Sequence, residues 1–163
     1  MKPRVYLETT LPSYLTAWPS RELVRAAHQQ ITQEWWTGRD AFELYTSRLI
    51  LLECQAGDAQ AAATRVSSLE GIPLLEETPE VATLAQSLIR DVPLPERAAA
   101  DAVHIALAAF LGLDYLLTWN CKHIANVTLR PRIEAVCRAA GYEPPLICTP
   151  EELPTGGQDD EGR

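Results

Sequence analysis

Three carboxylates of this chain stand where a charge is out of place. Glu8 directly follows the apolar stretch Arg4 to Leu7, Glu53 follows Leu51 and Leu52, and Asp101 lies in an alanine-rich segment. Removing an ionised carboxylate from water without a partner costs several kcal/mol, so each needs a cation or a hydrogen-bond donor, and grouped acids need one most. Sites built from oxygen ligands select Mg²⁺ or Mn²⁺. Such an ion activates water and neutralises phosphate oxygens during in-line hydrolysis of a phosphodiester. Taken singly, each acid also has a plain structural explanation. Glu8 could cap a helix beside Thr9 and Thr10, Glu53 could sit on a helix rim, and Asp101 could pair with Arg97 four residues earlier.

Other residues could assist or merely pack. His104 lies three residues after Asp101 on the same helix face, where it could donate to a carboxylate or be satisfied structurally. His28 has no acid near it in its helix and is given no role. Lys122, Arg130 and Arg132, with Arg138 beyond, form the one local concentration of basic residues, suited to RNA backbone or to a solvated helix face. Trp18, Trp35 and Trp36 read as packing or oligomer contacts, whereas Trp119 could stack on a base or cover the site. The cysteines, 54, 121, 137 and 148, include no CxxC pair and read as free thiols, with Cys54 and Cys137 buried.

The elements that must position these groups follow from hydrophobic spacing and punctuation. Arg4 to Leu7 reads as a strand and Leu11-Pro12-Ser13 as the opening of a helix, which leaves Glu8 at a strand's carboxyl end. Leu23, Ala26, Ala27, Ile31 and Trp35 make Arg21 to Trp36 an amphipathic helix closed by Gly38. Phe42 to Thr46 is the next strand. Ser47 caps a helix carrying Glu53 that Gly57 stops, and Asp58 opens another to about Ser68. Ile72 to Leu75 reads as a short strand, and Thr78-Pro79 as the start of a helix that ends near Asp91. Glu96 to Leu111 is the strongest helix signal, Asp114 to Thr118 a buried strand, and Asn120 to Asn126 an irregular or helical turn. Arg130 to Ala140 is a helix closed by Gly141, and Leu146 to Cys148 the last strand. Strands alternating with helices predict an α/β domain with a central parallel sheet flanked by helices, its site at the carboxyl edge.

Four stretches together resemble the PIN-domain family, particularly the toxin component of VapBC toxin–antitoxin modules, from Val5 to about Cys148. VYLETTLPSYL is similar to the family's opening strand, acid and hydroxyl, giving Glu8 with Thr10 in support. SRLILLE resembles the serine-to-glutamate helix, matching Ser47 and Glu53. AADAVHIALAAFLGLDYLLTWNCKHIAN covers the remaining two, giving Asp101 and then Thr118, Asn120 and His123 in a Thr-x-Asn turn. The resemblance implies a PIN-like three-layer fold and a Mg²⁺- or Mn²⁺-dependent endoribonuclease. Glu8, Glu53 and Asp101 would be its metal ligands and Asn120 a further catalytic residue. Thr10, Ser47, His104, Thr118 and His123 would support them, and Lys122, Arg130 and Arg132 would meet RNA. It also implies a homodimer and a cognate antitoxin. The chain departs from the family in carrying Glu for Asp at position 8 and no fourth acid at Asn120 or His123. A catalytically inert PIN-like binding protein is the alternative.

Several classes are excluded or disfavoured. A net charge of -8 argues against a broad basic surface for nucleic acid. No glycine-rich loop follows the first strand, and no GxSxG elbow or nucleophilic cysteine setting is present. No apolar run approaches the roughly 20 residues of a membrane span, and the first residues lack a signal-peptide pattern, so the expectation is a cytoplasmic protein. With 163 residues, one domain over residues 1–153 is expected, followed by a disordered acidic tail, 154–163.

Overall fold

The computed structural model describes residues 1–156, so the expected disorder of 157–163 lies outside the described residues. Along the chain run β1 (Arg4–Leu7), α1 (Thr10–Thr16), α2 (Leu23–Thr37), β2 (Glu43–Ser47), α3 (Arg48–Cys54) and α4 (Ala59–Ser68). They are followed by β3 (Leu74–Leu75), α5 (Pro79–Asp91), α6 (Ala99–Phe110), β4 (Tyr115–Leu117), α7 (Arg130–Ala139) and β5 (Leu146–Cys148). The five strands form one parallel sheet in the order β3-β2-β1-β4-β5. Val5 stands opposite Leu44 on one side and Tyr115 on the other, so β1 is central and buried. The expected three-layer α/β architecture is therefore present. The chain builds outward from β1 first one way and then the other, so the strand order reverses between β1 and β4, the place at whose carboxyl edge parallel α/β sheets carry their sites.

Local chemistry accounts for most boundaries. Ser47, Asp58 and Thr78 each cap a helix by accepting a backbone N–H, from Ile50, Ala61 and Val81 respectively. Gly57 and Gly141 adopt positive φ after their helices, as the sequence predicts. β3 is two residues rather than four, since Pro73 has no N–H for a ladder and offers only its carbonyl, to Thr46. Glu96–Ala98 is a 3-10 turn, so α6 starts at Ala99 and Asp101 falls in its first turn. Gly38 ends α2 with an ordinary backbone (φ -99°); a Cβ there would strike the Thr155 side chain. Thr155, assigned to the tail by sequence, thus packs against the domain.

The core joins Tyr6 and Leu7 of β1, Leu116 and Leu117 of β4, Ile50 of α3, Leu84 and Leu88 of α5, Ile105 and Leu107 of α6, and Ile133 of α7. Among the described residues no helix is long and apolar enough to cross a membrane.

Candidate functional site

Glu8 is the first residue after β1, yet its N–H still bonds the carbonyl of Leu117, which fixes it at the junction of β1 and β4. The residue is only 4% exposed. Its Oε2 accepts three hydrogen bonds, from the Thr10 N–H (3.0 Å), the Thr10 hydroxyl (2.5 Å) and the Thr118 hydroxyl (2.8 Å). Both hydroxyls do a second job. Thr10 Oγ1 accepts the Trp119 N–H and Thr118 Oγ1 accepts that of Asn120, so α1 and the turn after β4 are tied together through this carboxylate.

Glu53, on the last turn of α3, accepts at Oε1 from the Thr9 hydroxyl (3.2 Å) and from His104 Nε2 (2.6 Å). His104 is fully buried, with Nδ1 2.7 Å from the Tyr6 hydroxyl, which lies 2.9 Å from Ser47 Oγ. Burial alone would push the His104 imidazole down. The bond to Glu53 and the charges of Glu8, Glu53 and Asp101 outweigh it, so its pKa is held above the ordinary value. Because the Glu53 carboxylate can only accept, His104 Nε2 donates to it, while Nδ1 shares its hydrogen bond with the Tyr6 hydroxyl. Burial drives the Tyr6 phenol upward, against the pull of its bond to Ser47, so it stays neutral.

Asp101 lies at the rim. Its Oδ2 meets His123 Nδ1 at 3.0 Å, rather than pairing with Arg97. The turn that carries His123 is shaped by Asn120, whose Oδ1 accepts the His123 N–H at 3.0 Å, leaving the amide Nδ2 without a partner among the described residues. The sequence-predicted group of Glu8, Glu53, Asp101, Thr10, Ser47, His104, Thr118, Asn120 and His123 therefore gathers at the carboxyl ends of β1, β2 and β4.

The hydrogen bonds of this edge leave three carboxylate oxygens over. Glu8 Oε1, Glu53 Oε2 and Asp101 Oδ1 accept no hydrogen bond from the described residues. Among the described residues, only Thr46 Oγ1 and Arg130 Nε are both sealed and without a partner, so all three carboxylate oxygens reach the surface. The spacing is looser than a closed cage: among the described residues, no three His, Cys, Asp or Glu side chains stand close enough to hold a metal ion directly.

The basic residues do not converge with the acids. Lys122 is exposed beside His123, but Arg130 turns toward Glu152 (3.8 Å) and the Ala125 carbonyl, and Arg132 lines a groove between α5 and α7 with Arg90 and Asp91. Trp119 is covered rather than offered to a base. It is 8% exposed, donates Nε1–H to Thr32 and stacks on His28 with ring centroids 4.0 Å apart. Trp35 packs in the core and Trp18 is exposed. The four cysteines are free, and burial pushes the thiols of Cys54 and Cys137 up to about 11 and that of Cys148 to about 12, which makes them poor nucleophiles.

Sequence reasoning passed over Tyr6, Thr9 and His28. A tyrosine two residues before an acid on the same strand face was a usable signal for Tyr6; the partners of Thr9 and His28 are set by packing between distant segments and left none. No family model matches this chain, and no curated protein matches it either.

Proposed function

We propose that this chain is a metal-dependent endoribonuclease of PIN-domain type, akin to the toxins of VapBC modules, that hydrolyses RNA phosphodiester bonds. The observation that carries the reading is the convergence of Glu8, Glu53 and Asp101, from β1, α3 and α6. Hydrogen bonds tie them into one edge, Glu8 through Thr118, Asn120 and His123 to Asp101, and Glu53 to Thr9 next to Glu8, and each carboxylate keeps one oxygen open to the surface. These three would hold Mg²⁺ or Mn²⁺. When bound, such an ion supplies Lewis acidity toward a phosphate oxygen and acidifies water.

The protein's own groups do the rest. Thr10 and Thr118 fix Glu8 by one oxygen, His104 and Thr9 fix Glu53, and His123 orients Asp101. The free Nδ2 of Asn120 can donate to a phosphate oxygen, and Lys122 beside it can meet the backbone charge of RNA. A cytoplasmic location, a homodimer and an antitoxin partner accompany this reading, and the free thiols agree with a reducing compartment. The test is cleavage of several single-stranded RNAs by purified protein with Mg²⁺, with Mn²⁺ and with chelator. Cleavage only with metal is expected, and cleavage that persists in chelator counts against the proposal.

One observation favours a second reading, a PIN-like protein that binds without cutting. The turn after β4 presents Asn120 and His123 rather than an acid, and the Asn120 carbonyl oxygen is already used within the turn. Under that reading the protein is inert with both metals, and Asn120→Asp gains activity.

A further inference from the structure

Beneath the three carboxylates lies a second polar layer with one member from each element that carries them. Tyr6 precedes Glu8 by two positions along β1, Ser47 caps the helix of Glu53, and His104 follows Asp101 by about one turn of α6. All three side chains are fully buried. They form a single chain of contacts: Ile50 N–H to Ser47 Oγ at 3.2 Å, Ser47 Oγ to Tyr6 OH at 2.9 Å, Tyr6 OH to His104 Nδ1 at 2.7 Å, and His104 Nε2 to Glu53 Oε1 at 2.6 Å. One end is anchored on a backbone amide. The other emerges at Glu53, whose side chain is 33% exposed.

Burying a polar side chain is costly unless it is bonded, and an apolar residue at position 6 or 104 would fill the space without that demand. What the chain of contacts adds is control of a long side chain. Glu53 has three torsions to freeze, and α3 holds only its backbone. With Oε1 bonded to His104 and Thr9, Oε2 is the oxygen left without a hydrogen bond from the described residues.

We propose that Tyr6 and His104 are positioning residues for Glu53: held from β1 through the Tyr6 hydroxyl, the imidazole fixes the carboxylate by one oxygen and presents the other to a cation. The inference rests on the functional reading above and assigns a task to two buried groups which that reading does not need as ligands.

The test uses the full chain as wild type, Tyr6→Phe, His104→Gln, His104→Ala and Glu53→Gln, with Mn²⁺ calorimetry, RNA cleavage, circular dichroism and proton NMR of the metal-free protein. The wild type should show a slowly exchanging imidazole N–H that Glu53→Gln abolishes. Tyr6→Phe should keep its fold while binding Mn²⁺ about 10- to 100-fold more weakly, the range typical when a group orienting a metal ligand is removed. Its kcat should fall more than its KM rises. His104→Gln, whose amide can still donate to Glu53, should recover part of the affinity that His104→Ala loses. If Tyr6→Phe and His104→Ala melt earlier but bind Mn²⁺ within about twofold of wild type, the layer is structural and the proposal is overturned. A Mn²⁺-binding wild type without the imidazole signal overturns this proposal alone. A wild type that shows the signal but neither binds Mn²⁺ nor cuts RNA removes the functional reading, and this inference with it.

Discussion

Two carboxylate–histidine pairs meet at the edge of this sheet, and they are built to different ends. In Glu53–His104 the ring is fully buried, both nitrogens are occupied, and a phenol and a serine back it from behind. In Asp101–His123 the side chains are 18% and 17% exposed, Nδ1 alone is bonded, and Nε2 has no partner among the described residues. A buried charge must be fully bonded to be tolerated, whereas a charge at the rim can exchange its partner for water or a ligand. A carboxylate and an imidazole therefore give a fixed support in one place and an adaptable face in the other, and burial decides which.

The contrast should break most visibly at Glu53. Glu53→Gln removes the charge that His104 Nε2 bonds and that holds the imidazole pKa up, at a cost on the order of 1–3 kcal/mol once the partial exposure of Glu53 is discounted. For a chain of this size that lowers the melting temperature by about 2–4 °C per kcal/mol. The pair also predicts a pH signature. Since the folded His104 pKa is raised, its contribution is complete below the unfolded imidazole value of about 6.5 and is lost as pH rises through the folded value. Wild-type melting temperature should thus decline on the alkaline side of about pH 6.5, and that of Glu53→Gln should decline less. Parallel curves would mean that no ion pair forms.

His123→Gln sharpens the comparison from the other side. A rim pair is worth about 0–1 kcal/mol, so melting should barely move, while cleavage should fall by about 10-fold as Asp101 loses its orienting partner. A stability loss equal to that of Glu53→Gln would erase the distinction between the pairs. The smallest effect on folding is expected for Asn120→Asp, which keeps the oxygen that accepts the His123 N–H while adding charge. Mn²⁺ affinity, measured by calorimetry, should rise if that turn faces the cation, and an unchanged affinity would place it outside the site.

The parts of this molecule legible in the sequence were those set by local chemistry. The caps at Ser47, Asp58 and Thr78, the glycines at 57 and 141, and the bounds of β5 all depend on residues within a turn of one another. The three acids were legible because a charge after an apolar run is conspicuous. What escaped depends on distant segments meeting. Tyr6 looks like an ordinary strand residue until α6 brings His104 onto its hydroxyl, and His28 lacks a partner until the turn after β4 slides Trp119 beneath it. Gly38 reads as the close of a helix and does end α2, but that its lack of a side chain makes room for Thr155, far along the chain, has no local signal. Arg130 and Arg132 read as one basic patch because spacing reports charge and not direction; the fold sends one toward Glu152 and the other to the α5–α7 groove.

The central claim is that Glu8, Glu53 and Asp101 act together on one cation, and Asp101→Asn tests it most directly, because that change removes a charge at the rim while keeping shape. Wild type and variant would be titrated with Mn²⁺ and assayed on single-stranded RNA, with circular dichroism to confirm the fold. The account predicts metal-dependent cleavage by wild type, and in the variant an unchanged fold, weaker Mn²⁺ binding and cleavage slowed by on the order of 100-fold or more. A variant that binds Mn²⁺ and cuts RNA as well as wild type would contradict it.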